Sequence, residues 1–175
     1  MTEHLGPLEL VGDRWIIGDP ERAGGSCLVL TPEGMEHHTS GTPGPPAVVP
    51  WSTFVELSIR ATFRERHASR TAGVLISLGG GPMDSGPSGC SVNGLLRHPY
   101  EQWSANYTHH ERPYTGPHVF LVDALFRKTS EARALHRLGD PEWLSAAVAR
   151  ITPLPAWWPP KANRQVSEII EDLGT

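Results

Sequence analysis

The chain has only two cysteines. Cys27 falls in a candidate strand and Cys90 in a Gly/Ser-rich loop, and their spacing matches no metal or redox pattern. Two free thiols are therefore expected. Also absent is any apolar run approaching the roughly 20 residues that span a bilayer, or a charged-then-apolar stretch of the signal-peptide kind. This gives the expectation of a cytoplasmic protein that does not engage a membrane. Net charge is small, −4 with a pI near 6.1, so there is no overall attraction for nucleic acid or for anionic lipid. The longest basic cluster, Arg60, Arg64, Arg66, His67 and Arg70, is interrupted by Glu65 and reads as a solvated loop.

Catalytic and cofactor motifs are missing as well. Gly79-Gly80-Gly81 follows a candidate strand, where phosphate-binding glycines occur, but Pro82-Met83-Asp84 comes next. There is neither G-K-[ST] nor a G-x-G-x-x-G opening a helix, so no nucleotide and no other cofactor is expected.

What the chain does have is punctuation and tryptophan. Gly (18) and Pro (17) together make up a fifth of the 175 residues, a loop-rich composition, while six Trp within a 38% hydrophobic content argue for a packed core. The length suits one domain, 1–175, mainly β over 8–107 and mainly helical over 117–173.

Leu8 to Val11 and Arg14 to Ile17 flank Gly12-Asp13 as a hairpin would, and Ser26 to Leu30 with Met35 to His38 flank Thr31-Pro32-Glu33-Gly34. In that second turn Pro presets φ and Gly is expected to supply a positive φ. In Phe54 to Arg60, Val55, Leu57 and Ile59 alternate with Glu56, Ser58 and Arg60, which marks a strand with one buried face. Gly73 to Leu78 reads as a further strand, and Gly79 to Gly94 as a mobile loop.

From His118 to Leu138 there is no Gly or Pro, and Leu121, Leu125, Ala132, Leu135 and Leu138 form one helical stripe ending at Gly139. Asp140-Pro141 starts another helix, to about Ile151. Pro153 to Pro160, PLPAWWPP, is not regular helix, and Ala162 to Leu173 is a last amphipathic helix.

Glu36-His37-His38 and His109-His110-Glu111 are the nearest approach to a chemical constellation, since imidazole and carboxylate ligate Zn, Fe and Ni. Neighbouring histidines on a strand point to opposite faces, so at most one of each pair can reach a shared site. Surface histidines are the default; a metal-dependent hydrolase using His37, His38, His109, His110 and Glu111 is the alternative. Cys90 has His98, His109 and His110 within 20 residues, yet a nucleophile also needs an oxyanion site that the sequence does not display. No catalytic residue is assigned.

Trp51 and Trp143 begin elements beside apolar neighbours and read as core. Trp157 and Trp158, held between prolines, cannot both turn inward easily and suit docking to a partner. The block from Tyr107 to Pro117, with Arg112 and Tyr114, is polar and aromatic and suits either a binding loop or an ordered connector. The candidate binding residues are Trp157, Trp158, Tyr107, Arg112 and Tyr114, with a protein as the expected partner.

The stretch CLVLTPEGMEHHTSGTPGPPAVVPWSTFVELSIR, Cys27 to Arg60, places a hairpin, a polar loop and a Pro-Trp-led strand in succession. It resembles the early strands of bacterial pleckstrin-homology-like domains over about Ser26 to Leu78. That resemblance implies an antiparallel sheet or partly open barrel closed by helix. The chain differs from the family in having up to three late helices and a Gly-rich loop within its strands. The LGDPEWL segment, with the Gly, Pro, Arg and Trp usage, also resembles actinobacterial proteins and implies no activity. The expected class is α+β, with an antiparallel sheet followed by C-terminal helices, and the expected role is a non-catalytic interaction or regulatory module.

Overall fold

A computed structural model describes residues 3–19, 24–41, 44–61, 90–109 and 114–174. The expected strand Gly73 to Leu78, most of the Gly79 to Gly94 loop and the basic cluster beyond Arg60 lie outside the described residues. The fold is α+β, and the described residues form two antiparallel sheets followed by three helices.

The first sheet is a six-stranded meander: β1 (His4–Leu5), β2 (Leu8–Val11), β3 (Arg14–Ile17), β4 (Ser26–Leu30), β5 (Gly34–Thr39) and β6 (Ala47–Pro50), in that spatial order. A 3-10 turn, Trp51–Thr53, leads into the second sheet of β7 (Phe54–Arg60), β8 (Ser91–Leu96) and β9 (Glu101–Asn106). The sheets are tied at Thr108, whose Oγ1 accepts from the Ser26 amide at 2.8 Å while its own amide donates to the Ser26 carbonyl at 2.8 Å. The described strands form two open sheets and no closed barrel.

The turns follow from their residues. Gly12 has φ 67°, the positive value that a two-residue connection with Gly first requires. Gly34 is a correction: it has no positive φ, and what it supplies is space. A Cβ there would run into the Val49 carbonyl across the β5–β6 pair, so glycine is needed for close strand approach. Thr31 holds the turn, with Oγ1 donating to the Gly34 carbonyl at 2.9 Å.

Ser91 to Gly94, expected in a mobile loop, belongs to β8. The reason is packing: a Cβ on Gly94 would stand 2.9 Å from the Phe54 ring, so this glycine lets an aromatic approach the strand closely.

The helices are α1 (Gly116–Glu131), α2 (Pro141–Ile151) and α3 (Pro159–Leu173). The long stripe expected from His118 to Leu138 breaks at Glu131, and Leu135–Gly139 is a separate 3-10 turn. The start of α2 is as expected, with Asp140 Oδ1 accepting from the Glu142 and Trp143 amides at 3.1 and 3.2 Å.

Among the described residues β7 is an edge strand, and helix α1 lies along it and satisfies two of its amides. Ser130 Oγ accepts from Leu57 N–H at 3.1 Å and Asp123 Oδ1 from Ile59 N–H at 3.0 Å. An edge that would otherwise invite another strand is closed by side chains. One cluster of buried side chains, including Trp15, Leu28, Met35, Trp51, Phe54, Leu57, Leu125, Phe126, Trp143 and Val166, runs through both sheets and all three helices. No described helix is long and apolar enough to cross a membrane.

Candidate binding site

The α2–α3 connection exposes two indoles. After Ile151 the chain makes a turn, with Leu154 N–H donating to the Ile151 carbonyl at 3.0 Å, and Leu154 and Ala156 pack against the core. Trp157 and Trp158 follow with 66% and 54% of their surface exposed. Their rings sit 6.5 Å apart, tilted by 55°.

Proline explains the placement. A residue before proline is kept out of helical conformation, and Trp158, at the N-cap of α3, has φ −122° and ψ 86°. Pro159 and Pro160 lack amide hydrogens, so two of the donors a helix start leaves unmet do not exist here. No side-chain cap is made. The Trp158 carbonyl instead accepts from Lys161 and Ala162 at 3.1 and 3.0 Å. A bulky ring can therefore occupy a position usually given to Ser or Asp.

The other candidate residues are placed differently. Tyr107 is 2% exposed, and its hydroxyl donates to the Arg60 carbonyl at 2.7 Å. Burial first, then the neighbouring Cys90, push its phenol well above the ordinary range. Its ring is a core element that ties the strand ends together. Tyr114 is half-buried, with its hydroxyl hydrogen-bonded to His109 Nδ1 at 2.6 Å and the two ring planes nearly parallel, 17° apart. Arg112 lies outside the described residues.

The histidines follow the strand geometry. His38 Nε2 meets Glu36 Oε2 at 2.8 Å on one face of β5, while His37 Nε2 is hydrogen-bonded to the Asn106 carbonyl at 3.1 Å. His109 is engaged with Tyr114, and His110 and Glu111 lie outside the described residues. Among the described residues no group of three or more His, Cys, Asp or Glu side chains could hold a metal ion.

Both cysteines are buried and neither is in a disulfide. Burial and, second, Asp19 push the Cys27 thiol up, which disfavours the thiolate a nucleophile requires. Cys90, expected in a loop, is 1% exposed beside β8.

One concave feature was not expected from the sequence. A groove of about 760 Å³ runs between the 3-10 turn at Trp51, the β8–β9 turn and the end of α1, with Arg97, Tyr100, Arg133 and His136 on its sides. Its parts come from segments far apart in sequence, so no local spacing encodes it.

No protein-family model matches the chain, and no curated protein or solved structure does.

Proposed function

We propose that the chain is a non-catalytic cytoplasmic module that binds a protein partner through Trp157 and Trp158. The observation that carries this reading is the exposure of two adjacent indoles on a proline-stiffened connection whose neighbours Leu154 and Ala156 are packed inward. Large rigid aromatics lose little conformational entropy on docking, and they dominate interface energetics where they occur. The likeness of the Ser26 to Leu78 stretch to pleckstrin-homology-like domains accords with a binding scaffold, and it is part of the same proposal.

The test compares wild type with a Trp157→Ala, Trp158→Ala double variant. A partner recovered with wild type, purified and rebound, is expected to lose affinity for the variant by about 2 kcal/mol or more. Retention of full affinity by the variant would overturn the docking role, and a collapse of its fold would leave the pair as a structural clasp.

A further inference from the structure

Among the described residues only two that are not glycine have a left-handed backbone, His98 with φ 65° and Arg133 with φ 57°. They lie on the two sides of the groove at the end of α1. His98 sits in the turn that places Arg97 and Tyr100 on one side, and Arg133 with His136 forms the other.

Arg133 occupies a position usually given to glycine. Helix α1 closes with Arg133 N–H donating to the Ser130 carbonyl at 2.9 Å and Ala134 N–H to the Thr129 carbonyl at 2.9 Å. These are the paired bonds of a Schellman ending, in which the left-handed residue is most often Gly because a Cβ crowds the following carbonyl. A cation does favour a helix C-terminus, but Lys128 already supplies one in the last turn. Glycine would end the helix as well, so what this position gains from arginine is its side chain.

Charge indicates that use. Among the described residues neither Arg97 nor Arg133 has a carboxylate at ion-pair distance, whereas Glu131, the one acid lining the groove, is matched by Lys128 at 2.6 Å. Arg97 spends one donor on the Phe54 carbonyl at 3.4 Å. Tyr100, 72% exposed, lines the same groove, together with Val55 and Leu135. A groove of about 760 Å³ lies within the range of small-ligand sites.

We propose that this groove binds a small organic anion, its carboxylate or phosphate held by Arg97 and Arg133 and its flat apolar body lying against Tyr100. Guanidinium is suited to either anion because its fork of N–H donors matches both in bidentate geometry. This site is independent of the Trp157–Trp158 surface.

The experiment titrates the 15N-labelled full chain with phenyl phosphate, with benzoate, and with benzylamine as a cationic control of similar shape. Saturable amide shifts at Val55, Arg97 and Arg133 are expected with the anions and not with benzylamine. The tighter anion identifies the head group. Arg133→Gly is the decisive variant, because glycine suits the left-handed position and so the fold is kept. It is expected to weaken binding by about tenfold or more, as loss of a charged hydrogen-bonding group does, and Arg97→Gln is expected to act in the same direction. Equal shifts with benzylamine, no saturation by either anion in the millimolar range, or unchanged affinity in a folded Arg133→Gly variant would each overturn the proposal.

Discussion

Pro50-Trp51 and Trp158-Pro159 set the same two residue types side by side, and the chain treats the two indoles in opposite ways. Trp51 is 5% exposed and its Nε1 donates to the Thr31 carbonyl at 2.7 Å. Trp158 is 54% exposed, and among the described residues its nitrogen meets no acceptor. The order of the pair matters. Proline ahead of Trp51 delivers the chain into a 3-10 turn that aims the indole at the Thr31–Gly34 turn. Proline behind Trp158 fixes an extended residue at a helix start. The acceptor matters more, because a buried indole N–H without a partner is costly. Every deeply buried Trp here has a carbonyl to meet: Trp15 that of Pro141 at 3.4 Å and Trp143 that of Gly174 at 3.2 Å.

Gly139 completes the setting of Trp51. A Cβ on it would collide with the Thr31 carbonyl and stand 2.6 Å from Trp51 Nε1, so the 3-10 turn closes directly over the hydrogen bond. The largest effect in the comparison is accordingly expected from Trp51→Ala, a loss of about 3–5 kcal/mol in chemical denaturation, typical of removing a core aromatic. A loss below about 1 kcal/mol would place Trp51 in the same class as Trp158.

The next largest effect concerns the strand that Trp51 leads into. Asp123→Ala removes the acceptor of Ile59 N–H and the partner of Arg127, at 3.0 and 2.9 Å. The expected cost is about 1–3 kcal/mol. Asp123→Asn keeps an acceptor and is expected to lose less. Burial pushes the Asp123 carboxyl up, opposed by the Ile59 amide and by Arg127. With the folded value above the unfolded one, the native state holds more of this proton between the ordinary carboxylate range and the raised value. The contribution is fully present below that range and is lost as pH rises through the raised value. Wild type is therefore expected to gain stability relative to Asp123→Asn as denaturation is moved from about pH 7 to about pH 4. A difference between the two that is flat with pH would contradict this.

Much of the fold could be read from the sequence wherever a local rule and the packing agree. Leu8 to Val11, Arg14 to Ile17, Ser26 to Leu30 and Phe54 to Arg60 are strands at the expected bounds, because apolar runs and turn residues mark their ends; the buried face was legible at Leu57 and Ile59, whereas a register irregularity between Phe54 and Glu56 buries Phe54 where Val55 was expected. Asp140-Pro141 marked α2 through its cap. The end of α1 was hidden because Arg133, not Gly, takes the left-handed position, so the stripe runs on through Leu135 and Leu138 while the backbone stops. β8 was hidden because Gly94 looks like loop and is in fact a seat for Phe54. Of the candidate site, the prolines flagged the exposed indoles, whereas Tyr107 misled because polar neighbours in sequence say nothing of a ring that turns into the core. The groove required tertiary contact between residues 51–55, 97–100 and 130–136.

Asp140→Ala is expected to cost about 1 kcal/mol, the usual scale for a capping aspartate that satisfies two amides. It tests whether α2 depends on its cap in the way α3, capped by no side chain, does not. Thermal denaturation with no measurable change would show that Pro141 and the burial of Trp143 suffice to start the helix.

The smallest effect on stability is expected from the Trp157→Ala, Trp158→Ala double variant, even though it removes more side-chain volume than any other substitution considered. Neither ring is in the core, and Pro159 and Pro160 rather than the indoles prepare the start of α3. Surface substitutions of this kind usually stay within about 0.5 kcal/mol per site. The melting temperature is therefore expected to lie close to that of wild type, while Trp51→Ala, removing half as many indoles, lowers it strongly. The physical ground is that truncation costs stability only through contacts that exist in the folded chain, and these two rings keep most of their surface in water. If the double variant instead melted as low as Trp51→Ala, the indoles would have to be closing the α2–α3 connection onto the core, and the contrast between the two Pro-Trp pairs would fail.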